Sequence, residues 1–118
     1  MGDASAHYRL GGMYYRGEGV EKDLEKGIHH LEKASICGNP DARHYLAIIE
    51  GGENRNFERM VKHLIIAAKL GHAESMKALG KIYSAGNINR EELEVTLRGH
   101  QAAQIDATKS AQRDAAEA

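Results

Sequence analysis

Apolar residues along this chain recur at steps of three and four. Ala6, Leu10, Met13 and Tyr14 make one such run, and Leu24, Ile28, Leu31 and Ser35 make a second of apolar and small residues. That spacing collects side chains on one face of an α-helix, and β-branched residues nowhere alternate over the length of a strand. The one proline, Pro40, stands between two such runs. The pattern predicts an all-α fold with helices over 4–16, 24–37, 41–50, 57–70, 73–85 and 90–104.

The pattern also repeats. Leu10-Gly11, Leu46-Ala47 and Leu79-Gly80 open the same motif, each with a small residue four positions earlier: Ala6, Ala42 and Ser75. Leu31, Leu64 and Leu97 are spaced 33 residues apart, and Asp23, Asn56 and Asn89 keep the same step. Asp and Asn are good N-cap residues, and Glu92 three places after Asn89 makes a variant of the capping box. Gly38 and Gly71 fall where a left-handed residue is wanted to close a helix. One helical hairpin cannot bury its apolar face alone, so hairpins of this kind stack and share a core. Three helix-turn-helix repeats are expected, over 3–38, 39–71 and 72–104, followed by an alanine-rich tail over 105–118. Leu10, Leu46 and Leu79 are expected in the core with Leu31, Leu64 and Leu97. Gly11, Ala47 and Gly80 are expected to let helices approach closely. The tail is expected to continue the last helix and to fray from about Lys109.

Between the first two helices lies "YYRGEGVEKD", Tyr14 to Asp23. Two glycines and a lysine invite a phosphate-loop reading, which requires a strand before the loop and Ser or Thr after the lysine. A helix precedes this segment and Asp23 follows Lys22, so it reads as an elbow. Gly17 ends the first helix, Gly19 turns the chain, Val20 plugs the turn and Asp23 caps the next helix.

The residues of the first hairpin carry a family resemblance. Leu10-Gly11, Tyr14, Gly17, Gly19-Val20, Asp23 and Lys26, then Leu31, Lys33-Ala34-Ser35 and Gly38, are similar to the Sel-one-like repeat, a relative of the tetratricopeptide repeat. The second repeat keeps Leu46, Ala67, Ala68 and Gly71 but has Glu50 in place of an aromatic, and the third keeps Leu79, Gly80 and Tyr83. The resemblance implies a right-handed α/α solenoid that brings proteins together.

Composition and charge narrow the function further. A net charge of −1 over 118 residues offers no general attraction to nucleic acid or to anionic lipid. No apolar run reaches the roughly 20 residues that span a bilayer, and no signal peptide opens the chain, so a cytoplasmic location is expected. Cys37 stands alone, which excludes an internal disulfide.

Seven histidines raise the question of a metal site. His30 and His63 hold equivalent repeat positions, but no H-E-x-x-H or C-x-x-C motif exists and Cys37 is half a helix from His30. They read instead as substitutes for a packing aromatic ring, and neither metal nor other cofactor is expected. No serine sits in a strained elbow, and Glu91-Glu92 open a helix, where they complement its dipole. No catalytic site is visible.

The reading is therefore a protein-interaction scaffold, not an enzyme. Two alternatives stand beside it: a fragment of a longer repeat array whose functional domain, such as a zinc finger, lies elsewhere, and a histidine-based metal-binding protein. In tetratricopeptide-like stacks the first helix of each hairpin lines the concave side. With Leu10 facing the core, Tyr8, Gly12, Tyr15 and Arg16 point into that groove, joined by His44 and Ile48 and then Lys77 and Lys81. Such a path favours a protein or peptide ligand of acidic character, or further repeats of the same array.

Overall fold

The computed structural model describes residues 3–117, and within them the chain forms six α-helices and no β-strand. They are α1 (Ala4–Arg16), α2 (Leu24–Ile36), α3 (Pro40–Gly52), α4 (Phe57–Lys69), α5 (Ala73–Ser84) and α6 (Arg90–Glu117). Each helix starts at a side chain that accepts a backbone N–H of its first turn. Asp3 accepts from Ser5, Asp23 from Lys26, Asn39 from Ala42, Asn56 from Arg59, His72 from Ser75 and Asn89 from Glu92, all within 2.8–3.1 Å. Gly38 and Gly71 close α2 and α4 at φ 89° and 98°, and Asn39 N–H reaches back to the Ala34 carbonyl as a Schellman closure requires. The segment after α1 is an elbow: Gly17 and Gly19 adopt φ 72° and 76°, and Asp23 N–H ties across it to the Tyr14 carbonyl.

Consecutive hairpins share two buried clusters. Leu31 and Ala34 of α2 meet Ala42, Leu46 and Ile49 of α3. Val61, Leu64 and Ala68 of α4 meet Leu79 of α5 and Ala47 of α3. The second helix of one hairpin thus covers the first helix of the next. Leu46 and Leu79 are buried by this arrangement, whereas Leu10 is 36% exposed, against the expectation that it lies in the core. Its face of α1 is the one that a preceding second helix covers in α3 and α5.

The hairpins open progressively. In the first, Gly11 and Gly27 cross so closely that a Cβ on Gly11 would lie 2.7 Å from Leu31 Cγ and 2.9 Å from the Gly27 carbonyl oxygen. The place of Gly27 is taken by Met60 and then Leu93. Met60 packs against Gly51 of α3, whereas Gly80 has nothing within 4 Å of its own Cβ position, so the close approach expected there does not form.

The last helix leans instead on α4. His100 Nδ1–H donates to the Ala68 carbonyl at 2.9 Å and Gln104 Nε2 donates to the Gly71 carbonyl at 3.1 Å. The Ala68 carbonyl, which also takes the Gly71 N–H at 3.0 Å, and the Gly71 carbonyl are thereby both tied to α6. The lean turns Thr96 inward, to 1% exposure, and leaves Leu97 39% exposed. Leu97 was expected in the core with Leu31 and Leu64, but it belongs to neither buried cluster of the described residues. The helix runs on to Glu117, so the alanine-rich tail continues it. Its docked first half supplies the nucleus, and alanine-rich sequence propagates it. Ala118 lies outside the described residues.

Candidate protein-binding groove

The first helices of hairpins two and three, α3 and α5, stand side by side and leave a groove of about 450 Å³ between them. Ala47, Met60, Leu64, Ala78 and Ile82 form an apolar floor, and His44, Ile48, Glu74, Lys77 and Lys81 form the rim. Helical spacing brings them together: His44, Ala47 and Ile48 fall within five residues of α3, and Lys77, Ala78, Lys81 and Ile82 within six of α5. Lys77 Nζ lies 3.9 Å from Glu74 Oε1 with both side chains mostly in water, a contact worth little. Lys81 has no ion-pair partner among the described residues.

One wall of the groove is a polar chain. His44 Nδ1 lies 2.7 Å from Ser75 Oγ, and Ser75 is fully buried. Ser75 Oγ lies 2.9 Å from His72 Nδ1, which also accepts the Ser75 backbone N–H that caps α5. His72 Nε2–H donates to Asp41 Oδ1 at 3.0 Å. The His44 and His72 rings stack with centroids 4.6 Å apart. Burial, and secondarily the neighbouring His72, holds the His44 imidazole below the ordinary histidine range.

The path expected from sequence is divided in two. His44, Ile48, Lys77 and Lys81 converge on the groove. Tyr8 and Tyr15 instead meet the ring of Tyr45 edge-on, with centroids 6.4 and 5.6 Å away, and are half-buried against the first core cluster. Arg16 Nη1 donates to Tyr45 Oη at 3.1 Å, and its guanidinium lies 5.9 Å from the centre of that ring. The same guanidinium lies over Gly12, which is buried. Burial pushes the Tyr8 and Tyr15 hydroxyls up, Tyr15 to about 12 with help from the Glu53 carboxylate. Aromatic rings therefore fill the space between α1 and α3 that remains open between α3 and α5.

Of the other histidines, His30 packs among aromatic rings. His30 stacks on Tyr14 and on His7, with its Nδ1 3.0 Å from His7 Nδ1, so one of the two nitrogens donates and the other accepts. His63 takes a bond from Arg43 at 3.4 Å. Among the described residues no three His, Cys, Asp or Glu side chains converge in a metal-holding arrangement.

Sequence reasoning missed Tyr45 and the Asp41–His72–Ser75 chain. A signal for His72 was present, because it occupies the N-cap place of Asp3 and Asn39 at the head of a first helix. Tyr45 left none, since its repeat equivalents are Arg9 and Ala78.

Stacked helical hairpins with an open groove between neighbouring first helices define an α/α solenoid of the kind that binds other proteins. A family model described as the Sel1 repeat matches residues 4–39 and 40–72. These segments make up more than half of the chain, and it belongs to the Sel1 repeat family. Repeats of this family are generally helical protein-interaction modules. No curated protein sequence matches the chain significantly. None of its described helices is long and apolar enough to cross a membrane.

Proposed function

We propose that this chain is a protein-interaction scaffold with no chemistry of its own, and that it holds a peptide segment of a partner in the α3–α5 groove. The observation that carries the reading is the groove itself: an apolar floor of about 450 Å³ rimmed by Lys77 and Lys81. An aliphatic side chain of the ligand occupies the floor, at about 1.5–3 kcal/mol for a buried leucine, and a carboxylate meets the lysines. Tyr8, Tyr15 and Arg16 support α3 from behind through Tyr45 and do not contact the ligand. The test is affinity capture from cell extract followed by mass spectrometry, with Ile48→Glu and Lys81→Glu beside the parent chain. A partner held by the parent and lost by both variants, with helicity and melting temperature unchanged, supports the groove. A partner retained by both places binding elsewhere.

A further inference from the structure

The groove wall carries a proton-coupled contact, an inference that rests on the groove reading above. The direction of each hydrogen bond in the wall follows from counting donors. His72 Nδ1 accepts the Ser75 backbone N–H and His72 Nε2 faces the Asp41 carboxylate, so the His72 proton is on Nε2. Ser75 Oγ approaches two imidazole nitrogens, His72 Nδ1 at 2.9 Å and His44 Nδ1 at 2.7 Å, with a single hydroxyl proton. If that proton pointed at His44, lone pairs of Oγ and His72 Nδ1 would face each other at 2.9 Å. If it points at His72, the His44 Nδ1–H donates to Ser75 Oγ and every contact is attractive. The chain therefore runs His44 to Ser75 to His72 to Asp41, and neutral His44 has its lone pair on Nε2.

His44 Nε2 has no partner among the described residues. Nor is it sealed off, because Arg43 Nε is the one buried side-chain polar atom left without a partner there. Since His44 lines the groove, the accessible Nε2 is a base at its wall. The charged and titratable groups around it come from α3 and α5: Asp41 on its own helix, then His72, Glu74, Lys77 and Lys81. Tyr8 of α1 is near enough to Asp41 to feel its charge, and α4 contributes only Met60 and Leu64. Adding a proton to Nε2 leaves the Nδ1–H bond to Ser75 in place, so protonation does not disturb the wall.

We propose that the groove takes up a proton at His44 Nε2 when it binds an acidic peptide, whose carboxylate pairs with the imidazolium at the groove wall. The carboxylate favours the charged ring, and by linkage affinity rises as pH falls. Burial already holds free His44 below the ordinary histidine range, which leaves it mostly neutral near pH 7 and gives the uptake room to occur.

The test uses the full chain and two fluorescent peptides, acetyl-Glu-Leu-Asp-Leu and its neutral twin acetyl-Gln-Leu-Asn-Leu-amide, at pH 7.5 and 5.5. The acidic probe should bind roughly three- to tenfold more tightly at the lower pH, within the tenfold per unit that a single linked proton allows. The neutral twin should show no such gain. His44→Asn keeps an N–H at the Nδ1 place and nothing at Nε2, and should abolish the gain while circular dichroism stays unchanged. Long-range ¹⁵N–¹H spectra should show His44 in the Nδ1–H tautomer. An Nε2–H tautomer, a pH gain surviving in His44→Asn, or failure of the acidic probe to bind would overturn the proposal. If the probe fails while capture still depends on Ile48 and Lys81, the groove stands and the carboxylate contact falls.

Discussion

Hairpin one and hairpin three are built on the same repeat and pack in opposite ways. In the first, Gly11 and Gly27 bring the backbones of α1 and α2 into contact. In the third, Leu93 stands at the place of Gly27, Gly80 is left open, and α6 finds its support on α4. Which face of a second helix is buried thus depends on one crossing residue and on what lies beyond the helix. Leu31 and Leu64 are covered by the following hairpin; Leu97, in the same repeat position, is not.

The largest expected effect breaks this difference at its source. A Cβ on Gly27 would lie 2.9 Å from the Tyr15 backbone nitrogen and 3.0 Å from the Gly11 carbonyl oxygen. Neither atom can yield without moving a helix, so Gly27→Met, which copies hairpin two, should cost about 3 kcal/mol or more in urea unfolding. Gly80→Ala meets nothing within 4 Å and should be neutral or stabilise by up to about 1 kcal/mol. Equal losses in the two variants would mean that the hairpins close alike.

Next in size is the pair of leucines. Leu64→Ala should cost about 2–5 kcal/mol, because it opens a cavity between α4 and α5. Leu97→Ala should cost less than about 1 kcal/mol, since much of its side chain is already in water. Similar denaturation midpoints for both variants would contradict the leaning of α6.

A smaller effect comes from acid. His30, His44 and His63 are all held below their ordinary value, each chiefly by burial. The unfolded chain then binds more protons than the folded one, so stability is complete above the unfolded value of about 6.5. It falls as pH drops through that value and levels off below the folded values. Melting temperature should accordingly decline from pH 7.5 to 5, and a rise over that range would reverse the assigned burial of these rings.

The smallest effect concerns the far part of α6. Gln104→Ala removes the bond to the Gly71 carbonyl, and amides beyond residue 104 should exchange faster while global stability changes by about 1 kcal/mol or less. Unchanged exchange would show that the alanine-rich stretch holds itself.

The helices and their starts were legible in sequence because N-cap residues, apolar periodicity and closing glycines are local signals. The exposure of Leu10 and Leu97 was not, because it depends on what covers a face, and a repeat pattern assigns the same face to every copy. Half of the groove was legible for the same reason. His44, Ile48, Lys77 and Lys81 follow from helical spacing, whereas Tyr45 drawing Tyr8, Tyr15 and Arg16 together is a tertiary event with no repeat counterpart. The bond from His44 to Ser75 crosses 31 residues and leaves no periodic trace.

The most direct test of the groove as the binding surface is a map of backbone amide shifts on adding the captured partner segment to ¹⁵N-labelled protein. The account predicts that the largest changes fall on His44 to Ile48 and Lys77 to Ile82, with α2 and the second half of α6 silent. Changes centred on α2, on the outer face of α4 or on residues beyond 104 would contradict it.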